Sequence, residues 1–272
     1  MSPFATIIEG CGFDPLLLSR IEDAGINASA PPQQRWLDGW LLRFSPGKAR
    51  RARCINAVAE GRLPWDRKLD LSRAAYQDLK LPLVMRITPF TLPSALDDSL
   101  AEAGYPAIDP TLVMVNADLA TSGGVTSVDP SSGATPDSLV WLQPGISAYA
   151  ALIGGLRGSS AAQIAAHEER LQHAPVPAVR WALAQGAQGN AVACGQSQQE
   201  GDVVGLYDIH TLEAARGRGY ATLVCEHLLS RSRAAGARFA YLQVEVGNIT
   251  AQRIYRRLGF RPAYQYHYRE LF

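Results

Sequence analysis

Alternation and helical spacing of apolar positions divide the chain into short strands and amphipathic helices. RWLDGWLLRFS (Arg35 to Ser45) reads as a strand pair, RRARCINAVAE (Arg50 to Glu60) as another strand, and PLVMRITP (Pro82 to Pro89) as a buried strand. Between them DRKLDLSRAAYQDLK (Asp66 to Lys80) spaces its apolar residues as an amphipathic helix does. A second helix is expected over Pro93 to Ala103 and a strand over Pro110 to Ala117.

Residues 121–138, TSGGVTSVDPSSGATPDS, hold almost no large apolar side chain, so they read as a linker between a part spanning 1–120 and a part spanning 139–272. After it come a strand at VWLQPG (Val140 to Gly145) and one or two helices over Ser147 to His173. Strands follow at Val179 to Ala184, Asn190 to Ser197 and Asp202 to Thr211. The chain then alternates: helix Gly219 to Ala235, strand Arg238 to Val246, helix Ile249 to Leu258, strand Tyr264 to Leu271. This order predicts an α/β fold with a mixed sheet, and its partial repetition in both halves suggests an internal duplication.

Composition narrows the class without naming it. Apolar residues make up 47% and charged residues 19%, ordinary for a globular protein. Lys and Arg number 26 against 25 Asp and Glu, so the net charge of +1 gives no single-sign field suited to nucleic acid. Cys11, Cys54, Cys194 and Cys225 lie far apart with no metal-ligand spacing, and are read as reduced thiols; no metal is expected. The N-terminal stretch lacks the basic start and apolar run of a signal or anchor, so a cytoplasmic location without membrane attachment is the expectation. The tryptophans at 36, 40, 65, 141 and 181 are expected in the core.

The chemistry concentrates in LEAARGRGYATL (Leu212 to Leu223), between a strand and a helix. The first helical N–H groups have no intrahelical acceptor and carry the positive end of the helix dipole, so such a turn points donors at an anion. Gly217 and Gly219 remove Cβ atoms that would hold a phosphate away, Ala221 is small, and Arg216 and Arg218 add charge. IGGLRGSS (Ile153 to Ser160) is also glycine-rich, but it follows a helical stretch and lacks Lys-Ser/Thr, so a helix break before a capped helix is expected there.

On these residues the chain resembles the GNAT superfamily of N-acetyltransferases, whose loop Gln/Arg-x-x-Gly-x-Gly/Ala is matched by Arg216, Gly219 and Ala221. A second motif follows at the family's spacing in LQVEVGNITAQRIYRRLGF: Asn248, Ala251, Tyr255, Gly259 and Phe260. The resemblance implies a GNAT fold over 139–272. It also implies that acetyl-CoA is the co-substrate, held by the main chain of Ile209, His210 and Thr211, by Arg216, Gly217, Arg218, Gly219, Tyr220, Ala221 and Thr222, and by Asn248. Tyr255 would stand beside the sulfur and protonate the leaving thiolate, its phenol being neutral at pH 7 with an ordinary pKa of about 10.

A relative acting on protein N-termini would carry a glutamate base where this chain has Gln243, so the proton acceptor stays open among Asp208, His210 and Glu245, with His210 or Asp208 favoured. Asp38-Gly39-Trp40, Leu41-Leu42-Arg43, Arg50-Arg51 and Asn56 look like the N-terminal region of two-part members of the same family. That half has no Arg-x-x-Gly-x-Gly/Ala loop, so it is expected to be a degenerate GNAT-like partner domain without its own coenzyme. The expected acceptor is a small-molecule or peptide amine; nucleic acid and membrane are not expected partners, and a homodimer stays open. Two other readings remain: a dinucleotide-binding oxidoreductase using Gly217-x-Gly219 and Glu245, and an acyl-CoA sensor that keeps the loop without acceptor chemistry.

Overall fold

The computed structural model describes residues 5–120, 139–185 and 190–271. The stretch read as a linker lies outside them. The chain forms two compact units: Met1–Met114 with Gln243–Ile249 and Pro262–Phe272, and Val115–Leu242 with Thr250–Arg261. Each unit draws on segments distant in sequence.

The first unit begins with helix α1 (Pro15–Ala28), which the apolar pattern left unassigned. Its start is well specified: Asp14 caps it by accepting from the Leu16 N–H at 3.0 Å, and Pro15 sits at the first helical position. Leu17, Leu18, Ile21, Ala24 and Ala28 form the buried face. Strands β1 (Gln33–Leu37) and β2 (Trp40–Phe44) pair antiparallel across a turn in which Asp38 (φ 45°) and Gly39 (φ 88°) both have positive φ, the two-residue geometry that fits strand twist. Strand β3 is only Ile55–Ala57, shorter than expected, because Arg50–Ala52 form a 3-10 turn. That turn sends the Arg51 guanidinium to the Tyr266 hydroxyl at 3.1 Å and pairs Arg50 with Asp109.

Helix α2 (Trp65–Asp78) leads to β4 (Val84–Ile87), parallel to β3, and then to α3 (Leu96–Glu102) and β5 (Ala107–Asn116). The core gathers Trp40, Leu42, Ile55, Leu69, Tyr76, Met85, Leu96 and Leu100. Trp36 departs from expectation: β1 is solvated on both faces and leaves this side chain 65% exposed.

In the second unit β6 (Leu139–Leu142), β7 (Ala178–Gln185), β8 (Ala191–Glu200) and β9 (Val203–Thr211) pair antiparallel in sequence. Helices α4 (Ile146–Leu156) and α5 (Ala161–Gln172) lie between β6 and β7. They are separated by the expected break, and Ser160 closes a capping box with Gln163. Helix α6 (Tyr220–Ala234) follows β9, and β10 (Phe239–Glu245) pairs parallel to β9. A Cβ on Gly195 of β8 would meet Val224 and Leu228 of α6, which is how closely that helix covers the sheet.

Helix α7 (Ile249–Arg257) precedes β11 (Arg261–Glu270), which pairs antiparallel with β4 and so joins the first unit. The order helix, three strands, helix, strand, helix, strand therefore occurs twice, from α1 to β5 and from α5 to β11, with a parallel pair at the same place in each. Among the described residues no helix is long and apolar enough to cross a membrane.

Candidate functional site

Strand β9 carries the most constrained backbone of the second unit. Its register with β8 slips between Cys194 and Gln196, one residue bulging out of the ladder, and Asp208 sits there at φ 54°. A non-glycine residue in this region costs about 1–3 kcal/mol unless its surroundings hold it. Three elements do so: Gln196 of β8 donates to the Asp208 carboxylate at 2.7 Å, Arg157 beyond α4 at 2.8 Å, and His167 of α5 lies 3.4 Å away. Burial pushes this carboxyl up, but the Arg157 charge and the His167 contact outweigh it and hold Asp208 well below the usual carboxylate range. A carboxylate so held is a poor proton acceptor, and its geometric effect is to fix the bulge.

Past the bulge come the residues expected to bind through main chain. The parallel register of β9 with β10 ends at Leu206↔Leu242, while β9 continues through Ile209 and His210 to Thr211. The Thr211 Oγ1 is buried with no hydrogen-bond partner. His210 is half-buried, and its ring is bonded to the Leu156 carbonyl. Burial, then Arg157 and Arg216, lower its pKa below the ordinary 6.5, so the imidazole is neutral and basic at pH 7.

The turn into α6 is open. Arg216, Gly217, Arg218 and Gly219 are exposed, and Gly217 and Gly219 both stand at φ 80°. A Cβ built on either glycine meets nothing within 4 Å, so the space in front of the loop is clear. No side chain caps α6, and its first main-chain bond is from Leu223 N to Gly219 O, which leaves the N–H groups of Ala221 and Thr222 without helical acceptors. Tyr220 is buried and anchors the turn. Clear space, orphan donors and two arginines fit a pyrophosphate.

Tyr255, near the end of α7, is 9% exposed and packs edge-on against Phe260. Burial, with the neighbouring Cys225, raises its phenol, which therefore stays protonated as an O–H donor at neutral pH. Burial also pushes the Cys225 thiol up to about 12, so it supplies no thiolate. The second unit thus contains Asp208, His210, the loop and Tyr255. Asn248 and Gln243 group with the first unit. Asn248 is exposed directly before α7, and Gln243 accepts from the Tyr266 hydroxyl at 2.8 Å. Arg157, His167 and Gln196 were not identified from the sequence, where nothing marks them as partners of Asp208.

The model of a family described as "Probable histone acetyltransferase Rv0428c C-terminal" matches residues 18–269. "Uncharacterized N-acetyltransferase YobR" of Bacillus subtilis (strain 168) is 26% identical over 237 residues, covering 87% of this chain and 91% of that protein. Among solved structures, a GCN5-related N-acetyltransferase from Kribbella flavida superposes with a TM-score of 0.61 at 17% identity, covering 92% of this chain and 94% of that one. A tandem GNAT protein from the clavulanic acid biosynthesis pathway gives a TM-score of 0.55 at 16% identity, covering 75% and 67%.

Proposed function

The chain belongs to the Rv0428c C-terminal acetyltransferase family, within the GNAT superfamily, and from that membership we propose that it transfers the acetyl group of acetyl-CoA to a primary amine. The observation that carries the donor end is the open turn from Arg216 to Thr222, with its two left-handed glycines, clear space and uncapped helix. In this reading residues 139–272 carry the chemistry and 1–120 act as a partner domain.

Acetyl-CoA supplies an activated thioester carbonyl. The main chain of Ile209, His210 and Thr211 orients it, the loop with Arg216 and Arg218 binds its phosphates, and Asn248 holds the pantetheine arm. A free amine attacks the carbonyl directly: the C–N bond forms, the C–S bond breaks, and the amine's surplus proton leaves to a base. His210 fits that base best, since its lowered pKa keeps a lone pair available at pH 7 and its ring is half-buried rather than sealed. Asp208 passes from candidate base to positioning residue, because its carboxylate is committed to Arg157 and Gln196. Tyr255 donates a proton to the departing thiolate, an O–H that burial keeps intact. No covalent enzyme intermediate is needed, which suits the protonated Cys225.

The test is thiol release from acetyl-CoA across a panel of amines: aminoglycoside, polyamine, amino acids, a peptide N-terminus and a lysine-rich peptide. Acceptor-dependent release supports the proposal. Coenzyme binding with no release on any amine would instead leave a sensor, the reading that the glutamine at 243 favours. Binding of NAD(P)H in place of acetyl-CoA would overturn it.

A further inference from the structure

The doubled element order places two strand-to-helix connections at equivalent points: β9 to α6 in the second repeat, and β3 to α2, residues 58–64, in the first. The β9 to α6 connection, in the second repeat, is open, as described above. The β3 to α2 connection, in the first repeat, is filled. Asp38, in the β1–β2 turn, presents its carboxylate to the main chain of this connection: Arg62 N donates to Oδ1 at 3.0 Å and Leu63 N to Oδ2 at 2.7 Å. Lys68, in the first turn of α2, donates to the Asp38 carbonyl at 3.0 Å and stands 3.6 Å from Oδ2, with its side chain only 3% exposed. Its ammonium also lies 5.1 Å over the Trp40 ring.

The two ends of the turn are stitched together. Val58 N and Ala59 N both donate to the Gly39 carbonyl at 3.1 Å. Where Gly217 and Gly219 face clear space, a Cβ on Gly61 would collide with the Asp38 carboxylate, and one on Gly39 with the Ala59 carbonyl. The first turn of α2 carries Asp66 and that of α6 no acid, so a second anion is repelled at one helix start and not at the other.

Resting on the proposed phosphate role of the turn into α6, we infer that Asp38 is a built-in anion seated on the strand-to-helix connection of the first repeat, just before α2, where the equivalent connection of the second repeat is open, so that the N-terminal half binds no acyl-CoA and each chain takes up one. Two main-chain donors and a buried ammonium make an anion seat whose occupant is the chain's own carboxylate. The positive φ of Asp38 lets glycine or asparagine replace it without adding strain.

Two measurements on the full chain test this. Calorimetry with acetyl-CoA is expected to give one molecule per chain, and two would overturn the inference. The second arm does not depend on the coenzyme reading: thermal unfolding of wild type, Asp38→Gly and Asp38→Asn with inorganic phosphate. Removing the carboxylate is expected to lower Tm. Phosphate at about ten times its Kd should then raise the Tm of Asp38→Gly by about 3 °C more than it raises that of wild type, with Asp38→Asn in between. Equal phosphate responses in all three proteins would overturn the inference, whereas absence of acetyl-CoA binding would count against the proposed function instead.

Discussion

Breaking the clamp on Asp208 separates its positioning role from a catalytic one. Arg157→Ala removes one donor. Asp208→Asn removes the charge while keeping a residue that tolerates φ 54°. The pair is 2.8 Å apart, with the arginine side chain 38% exposed and the aspartate 12%. Fully exposed pairs are worth about 0.2–1 kcal/mol, and breaking a fully buried one costs about 3–5 kcal/mol, so a coupling of about 1–2 kcal/mol is expected here. Denaturant unfolding of wild type, the two single variants and the double variant at pH 7 measures it as a cycle. Additivity within about 0.5 kcal/mol would refute the clamp.

Its pH dependence has a definite sign. The folded-state pKa of Asp208 lies below the unfolded value, so its contribution is complete above the unfolded pKa of about 3.9 and is lost as pH falls below it. Asp208→Asn should therefore flatten the acid side of the stability curve. If the bulge orients the coenzyme, both single variants raise the acetyl-CoA KM more than they lower kcat, and a loss confined to kcat would return Asp208 to a catalytic role.

Two further outcomes follow from the same geometry. With any acceptor that the amine panel yields, Tyr255→Phe should lower kcat by about 10²–10⁴ and leave the acetyl-CoA KM within about twofold, and an unchanged kcat would remove its acid role. His227 lies stacked on Trp141 at 4.2 Å and edge-on to Trp181 at 4.4 Å; burial, then Arg231, lower its pKa to about 4. The neutral ring's contribution is present above the unfolded pKa of about 6.5 and is lost as pH falls toward 4, so His227→Phe should flatten Tm against pH in that window.

Local signals were legible in the sequence and distant pairings were not. The strand pair around Asp38-Gly39 and the loop from Arg216 to Thr222 could be read because neighbouring residues determine a tight turn and a helix start. Helix α1 carries the same kind of local signal, in Asp14-Pro15 and the apolar spacing behind them. Arg50 to Arg53 misled in the other direction: β-like composition yields to a 3-10 turn because its arginines reach for Asp109 and Tyr266. Trp36 counted as core on residue type alone, though it lies on a solvated strand. The partners of Asp208 lie 12, 41 and 51 residues away in sequence, and the pairing of β11 with β4 joins His267 to Ile87, 180 residues apart. Periodicity carries no information about such contacts.

The central claim rests on the turn into α6, and calorimetry of acetyl-CoA binding to wild type and Gly219→Val tests it most directly. A β-branched residue at φ 80° is strained by about 1–3 kcal/mol and fills the clear space before the loop. Wild type is predicted to bind acetyl-CoA, and the folded variant to bind it about 100-fold more weakly. Equal affinity in the two proteins, or NAD(P)H bound in place of acetyl-CoA, would contradict it.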